Sequence, residues 1–141
     1  MAEFTANALQ TVAAGQSVLF TETPVPSCNG SVLHRIGSGV VDLRGTTNQC
    51  RARYKVSFGG NIGVSAGGTV DPISIAITLQ GEPLASATAI VTPAAVGDLN
   101  NVYVAVFVEV PRCCCFSVSV QNTSGQPIDV QNANLIVERV A

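Results

Sequence analysis

Charge is scarce in this chain. Charged side chains occupy only 11% of its 141 positions, with a single lysine (Lys55), a single histidine (His34) and no tryptophan. Soluble domains carry about 25% charged residues, so part of this surface is expected to be covered, most simply by copies of itself. The formal net charge is −2; that sign is wrong for a phosphate-neutralising nucleic-acid binder, and the arginines are scattered along the sequence. Apolar runs are short, none longer than the seven residues from Val102 to Val108, whereas a spanning helix needs about 20 apolar residues. Met1-Ala2-Glu3-Phe4-Thr5 offers neither a basic n-region nor an apolar h-region, so no signal peptide is expected.

What is present is alternation. Val102, Val104, Val106, Val108 and Val110 interleave with Tyr103, Ala105, Phe107 and Glu109. Ile73 to Leu79 and Phe116 to Val120 alternate in the same way, as do Tyr54-Val56-Phe58 and Val41-Leu43. A period of two places each set on one side of a pleated sheet, and β-branched residues suit those positions. Ala133 to Val140 and Ala87 to Val91 read as further strands; Pro83 and the β-branched content argue against a helix over Glu82 to Val91.

Turn chemistry separates these runs at Asn29-Gly30, Gly37-Ser38-Gly39, Gly59-Gly60-Asn61, Gly67-Gly68, Gln80-Gly81, Gly97-Asp98 and Ser124-Gly125-Gln126-Pro127. About eight to ten short strands with such spacing predict an all-β antiparallel sandwich or barrel. Residues 7–141 form one domain in this reading. Met1 to Ala6 precedes the first strand signal and is expected to be a docking segment, with Ala2, Glu3, Phe4 and Thr5 as its contact residues.

The Val102–Val110 strand has a second apolar face, Tyr103-Ala105-Phe107. A sheet with one wetted side should be polar there. Either a loop folds over these residues, or the strand lies at the centre of an interface between subunits; the low charge favours the interface.

Motifs for catalysis are missing. His34 would have to serve any Ser–His–Asp arrangement, yet Gly37-Ser38-Gly39 lacks the G-x-S-x-G elbow. A histidine on a strand surface or interface is the default. The nine carboxylates are dispersed, and Gly59-Gly60-Asn61-Ile62-Gly63 fits no phosphate-binding fingerprint. Cys113-Cys114-Cys115, Cys28 and Cys50 read first as reduced, mostly buried small residues. A disulfide joining Cys28 or Cys50 to the triplet, or a metal site using His34, are the other readings; consecutive cysteines are poorly spaced for one zinc ion. Neither a cofactor nor a metal is implied. Asn29-Gly30-Ser31 and Asn122-Thr123-Ser124 match the glycosylation sequon.

The order of segments resembles the tumour necrosis factor/complement-globular-head jelly roll, in its bacterial and phage version. The likeness begins at Asn7 to Phe20, with a Gly15 turn and a Val18-Leu19-Phe20 return, and continues through Gly39 to Arg44 and Tyr54 to Phe58. It includes the hairpin Ile77 to Pro83, similar to an L-x-x-N-G turn with Gln80 where Asn is usual, and ends with Val118 to Ser124 and Asn134 to Arg139. No Gly-X-Y stalk and no aspartate cluster accompanies it. The resemblance implies a homotrimer whose central interface strand carries Tyr103, Ala105 and Phe107. It further implies a stand-alone structural protein, not an enzyme, on the surface of a phage virion. Its partners would be copies of itself and a major capsid or other virion protein, as in a capsid decoration. The alternatives are a receptor- or carbohydrate-binding head contacting a host-surface glycan, or a spore or cell-surface layer protein.

Overall fold

The computed structural model describes residues 2–27 and 30–140. Within them the chain forms eleven strands: β1 (Ala2–Ala6), β2 (Gln10–Val12), β3 (Glu22–Val25), β4 (Val32–His34), β5 (Val41–Arg44), β6 (Arg51–Val64), β7 (Ile73–Leu79), β8 (Glu82–Val91), β9 (Asn100–Pro111), β10 (Cys115–Asn122) and β11 (Ile128–Arg139). One sheet has the order β3-β1-β11-β6-β9, with β2 also paired to β11; the other has the order β4-β5-β10-β7-β8. Every named strand pair is antiparallel.

The expected all-β antiparallel sandwich is what forms, with eleven strands where eight to ten were read. The alternating valines sort as the period of two requires: Val102, Val104, Val108 and Val110 point inward and are buried, while Tyr103 and Phe107 point out. Across the layer, Phe58, Ile62, Leu135, Ile75, Ile77, Val118 and Val120 close one continuous core. Tyr54 is fully buried, and its hydroxyl donates to the carbonyl of Arg44 at 2.6 Å.

Several boundaries differ from the sequence reading. Gly59-Gly60-Asn61 is not a turn but the middle of β6: all three pair with β9, and Gly59 and Asn61 also pair with β11. Opposite it, β11 carries a bulge between Gln131 and Asn134, with Asn132 at φ 56°. A Cβ on Gly60 would meet the Phe58 ring at 3.3 Å and Ala133 Cα at 3.4 Å; the glycine marks this close approach, as glycines inside strands often do. β11 accordingly starts at Ile128, well before Ala133. β8 begins at Glu82 directly after a turn with Gln80 at φ 54° and Gly81 at φ 84°, the signs of a type I′ hairpin. Pro83 is accommodated because β8 is an edge strand.

The largest correction concerns the N-terminus. Residues 2–6 are no free docking arm. They form β1, an interior strand between β11 and β3, with Ala2, Phe4 and Ala6 buried in the core. Ala2, Phe4 and Ala6 alternate with Glu3 and Thr5, so the period of two was already there to be read.

Candidate functional site

Two surfaces of the sandwich stand out. The first is the outer face of the β3-β1-β11-β6-β9 sheet. Tyr103 sits opposite Gly59, and a Cβ on that glycine would lie 3.8 Å from the tyrosine ring. Ser57 is paired with Ala105 on one side and Ile136 on the other, and is nearly covered by them. Phe107 lies opposite Lys55, which in turn pairs with Glu138. Tyr103 and Phe107 are each 62% exposed, a wide opening for aromatic side chains that usually bury most of their area. Beside Tyr103, Ser57, Asn61, Asn101, Asn134 and Ile136 edge a shallow depression of about 330 Å³. The three expected interface residues therefore share one outward face of β9, and among the described residues no loop covers Tyr103 or Phe107. Among the described residues the face bears one carboxylate with ion-pair partners: Glu109 meets Arg51 at 2.5 Å and Arg53 at 2.6 Å. Those hydrogen bonds, Arg51's first, hold the Glu109 carboxyl below its ordinary range, and they raise Arg51 in return.

The second surface is one end of the sandwich, and it was invisible in sequence order. Antiparallel strands bring the end of β5, the start of β6, the turn between β9 and β10 and the end of β11 to the same pole. Five of the six arginines gather there: Arg44, Arg51, Arg53, Arg112 and Arg139. Scattered in sequence, they are clustered in space. Cys50, Cys113, Cys114 and Cys115 lie among them, free and exposed. This corrects the expectation of buried cysteines. The apolar layer stops at Val110 and Phe116, and the thiols lie beyond the last inward-facing residues of the ladders. Cys28, one of the two alternative disulfide partners of the triplet, lies outside the described residues; Cys50, the other, reaches the same pole as the triplet.

His34 is elsewhere. Its Nε2 lies 2.8 Å from the Ser38 carbonyl, to which it donates, and its ring packs 4.6 Å from that of Phe4. Nδ1 is enclosed without a partner. With neither a carboxylate nor a hydroxyl on the imidazole, the geometry supplies no triad, and His34 lines a separate depression with Arg35, Ser38 and Asp42. Among the described residues no three of His, Cys, Asp and Glu are placed to hold a metal ion. Asn122 of the second sequon is fully buried; its amide donates to the carbonyls of Val12 and Gln126, each at 3.0 Å. That side chain is a structural staple, closed to modification in the folded chain. Asn29 of the first sequon lies outside the described residues.

No protein-family model matches the chain, and no curated protein does either. Solved structures do. The structure of Eiger TNF from S. frugiperda superposes with a TM-score of 0.71 at 15% identity, covering 99% of this chain and 91% of that one. The sandwich is a jelly roll of the TNF and complement-head type. The globular domain of zebrafish complement 1qA protein agrees, with a TM-score of 0.56 at 11% identity over 96% of this chain and 94% of that one. At such identities the likeness is one of fold, and the jelly roll read from segment order is confirmed on that level.

Proposed function

We propose that this chain is a self-assembling structural protein, a homotrimeric jelly roll that coats the outside of a phage particle. The observation that carries the assembly is the open aromatic face: Tyr103 and Phe107, each 62% exposed, flank Ala105 on β9. Aromatic side chains are favoured at interface centres, where charge is depleted. The trimeric number comes from the resemblance to the TNF and complement-head fold. The placement on a virion comes from the resemblance to stand-alone phage members and accords with the low charge content. The aromatic side chains lie on a flat sheet instead of at loop tips, which favours subunit packing over stacking on sugars.

The experiment is a native mass measurement on the wild type and on Tyr103→Lys/Phe107→Glu. A trimer that falls to a folded monomer on substitution supports the reading; a wild-type monomer at micromolar concentration overturns it. The virion placement is tested by probing gradient-purified phage particles from the source strain with an antibody to the chain. Particles free of it overturn that placement and leave the assembly result standing.

A further inference from the structure

We infer that the arginine-rich pole is a thiol–disulfide exchange site for small anionic disulfides of the oxidised-glutathione class, with Cys50 and Cys113 to Cys115 as the attacking thiols. The pole is held by a backbone network. The Gly45 N–H donates to the Cys114 carbonyl at 2.9 Å, the Cys113 N–H to the Gly45 carbonyl at 3.2 Å, and the Arg112 N–H to the Cys50 carbonyl at 3.0 Å. A Cβ on Gly45 would stand 2.1 Å from the Pro111 carbonyl oxygen, so only glycine lets the two connections approach this closely.

Cys113 adds an independent observation. The Cys114 N–H bonds back to the Pro111 carbonyl at 3.0 Å, closing a turn with Cys113 as its third residue at φ 67°. That position suits glycine or asparagine. A cysteine kept there at a cost in backbone strain points to a use for the thiol.

Charge selects the ligand. Arg51 follows Cys50, Arg112 precedes Cys113, and Arg44 stands opposite Cys115 on the same face of its sheet. Both ion pairs among the described residues belong to Glu109, so Arg44 and Arg112 have no carboxylate partner there. Glu138 is the other acid at these strand ends, and Asp42 lies two residues back on β5. Guanidinium groups beside accessible thiols suit a disulfide that bears carboxylates. The depression among Arg44, Gly45, Thr46 and the three cysteines holds only about 90 Å³, so the ligand would lie on the surface and exchange. In the step itself a protein thiol gives its proton to solvent and its sulfur attacks one sulfur of the disulfide. The protein–ligand S–S bond forms, the original S–S bond breaks, and the departing thiolate is protonated. One disulfide is consumed and one is made, with no other oxidant.

The test uses the full-length reduced chain carrying Cys28→Ser, following loss of free thiol with oxidised glutathione or with the dicationic disulfide cystamine. Each rate is divided by that of 2-mercaptoethanol with the same reagent. The expected preference for the anionic disulfide is about tenfold at low salt and shrinks toward one near 1 M salt, where screening is nearly complete. Arg44→Gln/Arg112→Gln, with its circular dichroism unchanged, is expected to lose most of that preference. A low-salt ratio of one, or modification that peptide mapping finds away from Cys50 and Cys113–Cys115, overturns the inference.

Discussion

The two outer faces of the sandwich solve the same problem in opposite ways. At the centre of the β4-β5-β10-β7-β8 sheet, on β7 and β10, the outward side chains are small, and they satisfy one another. The Thr78 and Ser119 hydroxyls lie 2.5 Å apart, those of Ser74 and Thr123 2.6 Å apart, and Gln80 accepts from Ser117 at 2.9 Å. The centre of that face is closed, while its edge strands leave Leu33 and Ile90 open. The opposite sheet presents Tyr103, Phe107 and Ile136 around a central serine, with no internal partner for the exposed aromatic area. The difference shows that low charge has two meanings in one molecule: closed hydroxyl pairs at the centre of one sheet, and an open aromatic centre on the other.

The contrast can be sharpened by substitution, starting beneath both faces. Phe58→Ala removes a fully buried ring and is expected to cost about 3–5 kcal/mol in denaturant unfolding, whichever face lies above it. On the closed face, Thr78→Val alone strands the Ser119 hydroxyl and should cost about 1–2 kcal/mol. Thr78→Val/Ser119→Ala, which removes both partners, should come out nearly neutral. If the two give equal losses, the face is not held by that pair. At the thiol pole the sign reverses: Cys113→Gly relieves a left-handed backbone and should raise stability by about 0.5 kcal/mol after the added chain entropy of glycine.

The smallest effect belongs to Glu109. Its folded carboxyl is held below the ordinary value by Arg51 and Arg53. The stabilisation is therefore present above the ordinary carboxylate range and is lost as pH falls through the folded value. Thermal melts of the wild type and Glu109→Gln should differ slightly at neutral pH, converge on acidification, and lose the difference in high salt, because the pair is exposed.

Much of the fold was legible. The valine alternation of β9 named its inner and outer sides, and Ile73–Leu79 was read to the residue, because each local pattern agreed with its final environment. Where reading failed, a long-range contact overrode a local signal. Gly59-Gly60 carries turn chemistry, but the Asn132 bulge on β11 needs space at that point, and the strand runs straight through. Residues 2–6 failed for another reason: five residues are a short window for periodicity, and their terminal position suggested a free arm. The cysteines were taken as buried from their residue type, while register decided that the apolar layer ends before them.

Sequence alone determined the all-β class, the two-sided character of β9 and the residues that could fill a core, since alternation is a property of adjacent positions. Tertiary structure decided which strand ends meet. Arg44, Arg51, Arg112 and Arg139 are separated by up to ninety-five positions, and only antiparallel pairing, which returns successive strand ends to a common pole, turns them into one cationic surface around four thiols.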